Sequence, residues 1–183
     1  MSAAFSDPDT REEHRLRDGS VVTLRAIRPS DAPELALRFE QLSPSSRHQR
    51  FLGGMAVLGE DLLHYLTEVD GYHHVALVAT TPDHSGRPRG VGVARFIRDP
   101  AEPTTAEPAI TVCDDYQGRG VGTLLALALA RAARDRGVTR FRGPILTDNV
   151  QVRRLLDYFG ARLRRKDDEL LFESGIQGEE RVT

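Results

Sequence analysis

The stretch best suited to chemistry is Gln117-Gly118-Arg119-Gly120-Val121-Gly122, which sets three glycines at alternate positions. Glycine allows a tight turn and a close approach of backbone N–H groups to a ligand. A β-rich run, Glu107 to Cys113, precedes the segment, and an apolar helical run, Thr123 to Arg136, follows it and stops at Gly137. A helix start presents unpaired N–H groups and a positive dipole end. Strand, glycine loop and helix together make a site for a phosphate or pyrophosphate. Two familiar phosphate loops fit badly. A P-loop needs Gly-Lys followed by Ser or Thr, and no lysine is near. A dinucleotide fingerprint needs a third glycine where Thr123 stands. On glycine content alone, a plain strand-to-helix turn is an equal reading.

The elements that position this loop follow from pattern and punctuation. Residues 1–17 are polar and of mixed charge, and read as a flexible tail. After the turn signal Asp18-Gly19, the residues Val21, Val22, Leu24 and Ile27 read as a first strand. Ser30 and Asp31, with Pro33 and Glu34 behind them, are a helix start, so a first helix is expected over 31–42. Ser43-Pro44-Ser45-Ser46 ends that helix and opens a short second one carrying Arg47, Arg50 and Phe51; a third helical stretch covers about 60–67. His74 to Thr80 and Gly90 to Ile97 pair as a hairpin across a turn at 82–86. Beyond the glycine loop and its helix come a strand from Phe141 to Leu146, a helix from Asn149 to Phe159 ended by Gly160, and a last hairpin within 162–172. Residues 174–183 read as a loose tail. The result is a mixed α/β chain, with one domain over 18–173. The helix after the loop, with Leu124, Leu125, Leu127, Leu129 and five alanines, is apolar nearly all round and reads as buried against the sheet.

Composition narrows the function. The chain has 183 residues, 39% of them hydrophobic and 28% charged, with a net charge of -2 and no block of like charge, which argues against nucleic acid as a partner. No apolar run reaches the roughly 20 residues that span a bilayer, and the start lacks a secretory pattern. A cytoplasmic, membrane-free protein is the expectation. The lone Cys113 makes neither an internal disulfide nor a cysteine-rich metal site, and the adjacent His73 and His74 point to opposite faces of a strand, so no metal is expected. Of the 25 basic residues, Lys166 alone is lysine. Codon bias is the plain explanation; avoidance of self-modification in a lysine-modifying enzyme is the sharper one.

Gln117-Gly118-Arg119-Gly120-Val121-Gly122 resembles the Q/R-x-x-G-x-G/A loop of the GNAT superfamily of N-acetyltransferases, and the flanking strand and helix sit where that family has them. The likeness runs over roughly residues 20–173. Leu42-Ser43-Pro44-Ser45-Ser46 leading to Arg50-Phe51, Val91-Gly92-Val93-Ala94-Arg95-Phe96, and Ala106-Glu107 make the chain most similar to the GNAT domain of bacterial Pat-type protein lysine acetyltransferases. The resemblance implies a GNAT fold, a mixed and mostly antiparallel sheet flanked by helices. It implies acetyl-CoA as co-substrate and an amine acceptor, a protein lysine or a small molecule. It is also compatible with a homodimer and with an idle acetyl-CoA-binding sensor.

By the same resemblance, backbone groups from Gln117 through Gly118, Arg119, Gly120, Val121, Gly122 and Thr123 hold the pyrophosphate. Ile110 and Val112 pair through their backbone with the pantetheine arm, and Asn149 contacts that arm. Asn149 reads equally well as a helix N-cap, and Arg119 either adds charge near the phosphates or lies exposed. Glu107 is the implied general base, with a solvated strand-edge glutamate as the plainer reading of the same residue. A lysine amine of pKa about 10.4 must be neutral to attack, which costs about 4.6 kcal/mol at pH 7, and a base that takes its proton is expected to be buried. The family often places a tyrosine acid seven residues after the asparagine. Here Leu156 occupies that position, and Tyr158, about 200° further round a helix, faces elsewhere. Cys113 reads as a small, inert core residue.

Overall fold

β-branched and small apolar residues alternate along three consecutive stretches, and these build the centre of one sheet. The structure, a computed structural model, describes residues 4, 5, 7, 9–51, 57–166 and 169–176. Its elements in chain order are β1 (Arg11–Arg15), β2 (Val21–Ala26), α1 (Ala32–Gln41), α2 (Pro44–Phe51), α3 (Glu60–Thr67), β3 (His74–Pro82), β4 (Pro88–Arg98), β5 (Thr105–Val112), α4 (Val121–Arg134), β6 (Arg140–Ile145), α5 (Val150–Tyr158), β7 (Arg162–Lys166) and β8 (Glu169–Gly175). The eight strands lie in the order β1-β2-β3-β4-β5-β6-β8-β7. Every neighbouring pair is antiparallel except β5 and β6. The mixed, mostly antiparallel sheet flanked by helices is therefore present.

Side-chain alternation sorts the two faces. Val75, Leu77 and Ala79 of β3 and Val91, Ala94 and Phe96 of β4 meet Val121, Leu125 and Leu129 of α4 in the main core. The opposite face carries Val78, Val93, Arg95 and Thr111, over which α1 and α3 lie. There Phe39, Leu42, Leu58 and Leu66 form a second, smaller cluster. A third joins Ile145 of β6, Leu156 of α5 and Phe172 of β8.

Three boundaries differ from expectation. The predicted N-terminal tail holds a strand, because Arg11–Arg15 pair along β2 from Arg11↔Arg25 to Arg15↔Val21, and Phe5 is buried against α4. A charged edge strand has no apolar alternation to announce it, and its charges suit a sheet edge. At the other end β8 runs to Gly175 and Ile176 packs on the main core, so the predicted C-terminal tail begins too early; residues 177–183 lie outside the described ones. Helix α4 starts at Val121, two residues before the expected Thr123, and only one side of it is covered. Leu125 is fully buried whereas Leu127 is 41% exposed. Among the described residues no helix is long and apolar enough to cross a membrane.

The sided burial of α4 has a direct consequence. Leu125→Ala is expected to lower unfolding stability by about 3 kcal/mol, the usual cost of an unfilled core leucine, and Leu127→Ala by no more than about 0.5 kcal/mol. Equal losses in urea titrations would show that α4 is buried all round.

Candidate active site

Strands β5 and β6 pair at only two positions, Thr105↔Arg140 and Ala106↔Phe141, and then part. On its other edge β5 stays bonded to β4, from Asp99 N–H to Thr105 O (2.9 Å) through Cys113 N–H to Val91 O (2.9 Å). Both bonds fall on odd-numbered residues of β5. Backbone groups alternate sides along a strand, so those of Pro108, Ile110 and Val112 face β6. Pro108 has no N–H and cannot continue the ladder. This accounts for the parting, and it leaves Ile110 and Val112 turned toward an open edge. An extended arm laid in that gap would pair there as an added strand.

The glycine loop closes one end of the gap. Gly118 (φ +71°) and Gly120 (φ +96°) both take left-handed backbone conformations, which cost other residues roughly 1–2 kcal/mol. Gly120 is the N-cap of α4, and as a glycine it offers no capping side chain. The first intrahelical bond runs from Leu124 N–H to Gly120 O. The N–H groups of Val121, Gly122 and Thr123 precede it, without helical acceptors. An anion at this spot meets free donors and the positive end of a 14-residue helix. Arg119 turns away from them: its Nε donates to Asp18 (2.7 Å), its Nη2 to Ser20 (3.2 Å), and its guanidinium lies over Tyr116. The hydroxyl and N–H of Ser20, then Arg119, hold the Asp18 carboxyl down at about 2.

Gln117 is a structural tie. Its Nε2 donates to Val112 O and Ser46 Oγ, both at 3.1 Å, and its Oε1 accepts from Gln151 of α5. Asp114 accepts from Ser43 N–H (2.9 Å), Ser43 Oγ–H (2.9 Å) and Ser46 Oγ–H (2.7 Å). The Ser43-Pro44-Ser45-Ser46 stretch thereby fastens α2 to the loop.

Register sets Glu107, Ala109 and Thr111 on the α2 side of β5, opposite to Ile110 and Val112. Glu107 is exposed, so the burial expected of a base is not supplied by the chain itself. Its side chain crosses to β6, where Gly143 makes room: a Cβ on Gly143 would stand 3.2 Å from Glu107 Cγ. Arg50 of α2 is close enough for its charge to interact with Glu107; burial lowers the Arg50 pKa and the carboxylate works against that. Beside them lies a cavity of about 340 Å³ between the sheet and α1–α3, reached by Arg50, Arg95 and Thr111. Composition and spacing do not point to Gly143, Arg50 or Arg95 as site residues; strand register and the packing of α2 on β5 bring them together.

Asn149 is buried and caps α5, its Oδ1 accepting from Val152 N–H (3.0 Å). Leu156 sits in the core with Ile145 and Phe172, so its position offers no acid. Tyr158 is 58% exposed and packs edge-on against Phe159. Burial, with Asp115 next in effect, pushes the Cys113 thiol up to about 11, far from a reactive thiolate. His73 is exposed and lies just before β3, whose first residue, His74, is buried. Among the described residues no group of three or more histidine, cysteine or acidic side chains is placed to hold a metal.

A parted sheet with a glycine-capped helix at its mouth defines an acyl-coenzyme A transferase architecture. The acetyltransferase (GNAT) domain family matches residues 22–162, and the chain belongs to that family. It is 36% identical over 153 residues to the acetyltransferase Pat of Mycolicibacterium smegmatis, across 84% of this chain and 45% of that protein. It is 34% identical over 106 residues to the L-2,4-diaminobutyric acid acetyltransferase of Streptomyces coelicolor, across 55% of this chain and 60% of that one. The chain thus spans about half the length of these relatives. The crystal structure of the GNAT domain of S. lividans PAT superposes with a TM-score of 0.81 at 29% identity, over 90% of this chain and 96% of that one.

Two substitutions test the geometry. Gly120→Val forces a β-branched residue into a left-handed turn and is expected to weaken coenzyme A binding about tenfold or more, measured by calorimetry; wild-type affinity would remove the loop from the binding site. Gly143→Ala is expected to displace Glu107 and cut kcat at least tenfold with coenzyme A affinity retained. Unaltered kcat would show that the position of Glu107 is immaterial.

Proposed function

We propose that the chain moves the acetyl group of acetyl-CoA to a primary amine, a protein lysine side chain in the first reading, by direct attack in a ternary complex. The observation that carries this is the placement of Glu107 on β5, the inner strand that parts from its neighbour β6 just after Ala106. The N–H groups of residues 118–123 fit a pyrophosphate, the backbone of Ile110 and Val112 fits an extended amide-bearing arm, and Asn149 caps the helix across the gap. Acetyl-CoA supplies the activated acyl group. Glu107 takes the proton of the attacking amine, directly or through one water, as the new C–N bond forms and the C–S bond breaks. Leu156 provides no proton for the thiolate, which leaves as the anion. The protein-lysine acceptor rests on the likeness to Pat acetyltransferases. A second reading, a small-molecule amine, is favoured by the half-open cavity that Arg50 lines and by the relative named for diaminobutyric acid.

Glu107→Gln is expected to lower kcat/KM about 100-fold or more at pH 7 while coenzyme A affinity holds. The loss should shrink toward high pH, because an amine of pKa about 10.4 frees itself of its proton tenfold more with each pH unit. Unchanged activity of the variant across pH 6–9 would take Glu107 out of the base role. Coenzyme A binding with no turnover on any peptide or small amine would make the domain a sensor.

A further inference from the structure

The cavity on the α2 side of the sheet has an unbalanced charge. Four guanidiniums reach it, those of Arg25, Arg38, Arg50 and Arg95, against two carboxylates, Asp31 and Glu34. Both carboxylates are committed: Asp31 forms a two-pronged pair with Arg25 at 2.7 Å, and Glu34 accepts from Arg38 at 2.8 Å. Arg95 is 4% exposed. Among the described residues it meets no carboxylate. It donates to Leu66 O (3.0 Å) and pairs with His74 Nε2 (3.1 Å), both neutral partners. Burial first, then the charge of Arg50, lowers Arg95 to about 9, so it is still a cation at neutral pH. Burial and the neighbouring Arg95 likewise depress His74, to about 4, so it accepts from the guanidinium as a neutral ring. A buried cation without a counter-charge is costly and calls for a partner.

Strand register says what else that partner meets. Arg95 opposes Ala109, and Ile97 opposes Glu107. Arg95 and Glu107 are therefore diagonal neighbours on one face, with Cβ atoms about 7 Å apart. Arg50 lines the cavity and interacts with the charges of both. A cationic floor thus lies one side chain away from the carboxylate that receives a proton from an amine. A molecule that bears an amine at one end and an anion several bonds away satisfies both ends.

The geometry points to a carboxylate-binding subsite at Arg95 and Arg50, which makes the preferred acceptor a free ω-amino carboxylic acid. This rests on the small-molecule reading of the acceptor and deepens it. The planar guanidinium fits a carboxylate two-pronged.

The test uses two acceptors that differ only in the carboxylate, L-lysine and 1,5-diaminopentane, with acetyl-CoA and the full chain. The wild type is expected to favour L-lysine at least tenfold in kcat/KM. Arg95→Gln is expected to bring that ratio near one, chiefly by raising KM for L-lysine, while coenzyme A still binding at its separate turn reports a folded variant. Arg50→Gln, on α2, should move the ratio the same way and serves if Arg95→Gln does not fold. A wild-type ratio of one, or a ratio indifferent to both substitutions, overturns the subsite. Should neither compound be acetylated, the small-acceptor reading fails by itself, and calorimetric titration of L-lysine then decides the subsite. Binding that Arg95→Gln abolishes keeps it, and no binding overturns it. A preference for succinyl-coenzyme A over acetyl-CoA that Arg95→Gln removes would assign the charge to the acyl donor instead, and also overturns the acceptor subsite.

Discussion

Everything in the proposed site depends on the failure of β5 and β6 to stay paired. A parallel ladder would consume the backbone groups of Ile110 and Val112 and close the sheet. The ladder ends after Ala106 because the next residue to face β6 is Pro108, which has no hydrogen to donate. The opposite edge of β5 holds its bonds to β4 along the whole strand, so the open edge is rigid rather than frayed. One proline thus turns half a strand into a template for an extended ligand. The same alternation throws Glu107 and Thr111 to the other face, over the cavity. An arm along that edge and an acceptor over that face would then meet at one strand.

A rigid edge is useful only if the phosphate end is held as firmly. The loop at 117–122 is tied to three elements by polar side chains, in addition to the packing of Val121 in the main core. Gln117 bridges Val112, Ser46 and Gln151, and Asp114 gathers Ser43 and Ser46. Arg119 adds a fourth tie to the β1–β2 turn. Holding a binding loop in its bound shape before the ligand arrives lowers the entropy lost on binding. It also couples α2, which carries Arg50, to the loop, so the two ends of the site share one scaffold.

The glycine loop, its strand and its helix were legible in the chain because their signals are local: alternate glycines, a β-rich run, a long apolar helix. The same holds for Leu156 and Tyr158, whose facing follows from helical period alone. What was not legible depends on distant register. Nothing near Gly143 in sequence marks it as the floor beneath Glu107, and Arg95, which stands within a stretch that carries the family likeness, gains its place beside Glu107 only when β4 is set against β5. Strand β1 escaped because Arg-Glu-Glu-His-Arg has the composition of a tail. Its strand character comes from pairing with β2, at an edge where charge is tolerated on both faces. The extra two residues at the start of α4 were hidden by the glycines themselves, which read as loop although Gly122 is helical.

The scarcity of lysine takes on a physical sense at the cavity. A lysine there would present a primary amine beside a thioester, and burial would strip its proton and make it a nucleophile. A guanidinium holds its charge under the same burial and attacks nothing. Each cation that reaches the cavity is arginine, and Lys166 lies away on β7 at the far edge of the sheet. Codon bias explains arginine on an exposed surface, where either residue would serve. It does not explain why Arg95 is buried with only neutral hydrogen-bond partners among the described residues. That arrangement costs stability in the free protein. An anion bound at Arg95 would recover that cost, and the apolar side chains that line the rest of the cavity, Leu35, Phe39 and Leu66 among them, suit the methylene chain of such an occupant.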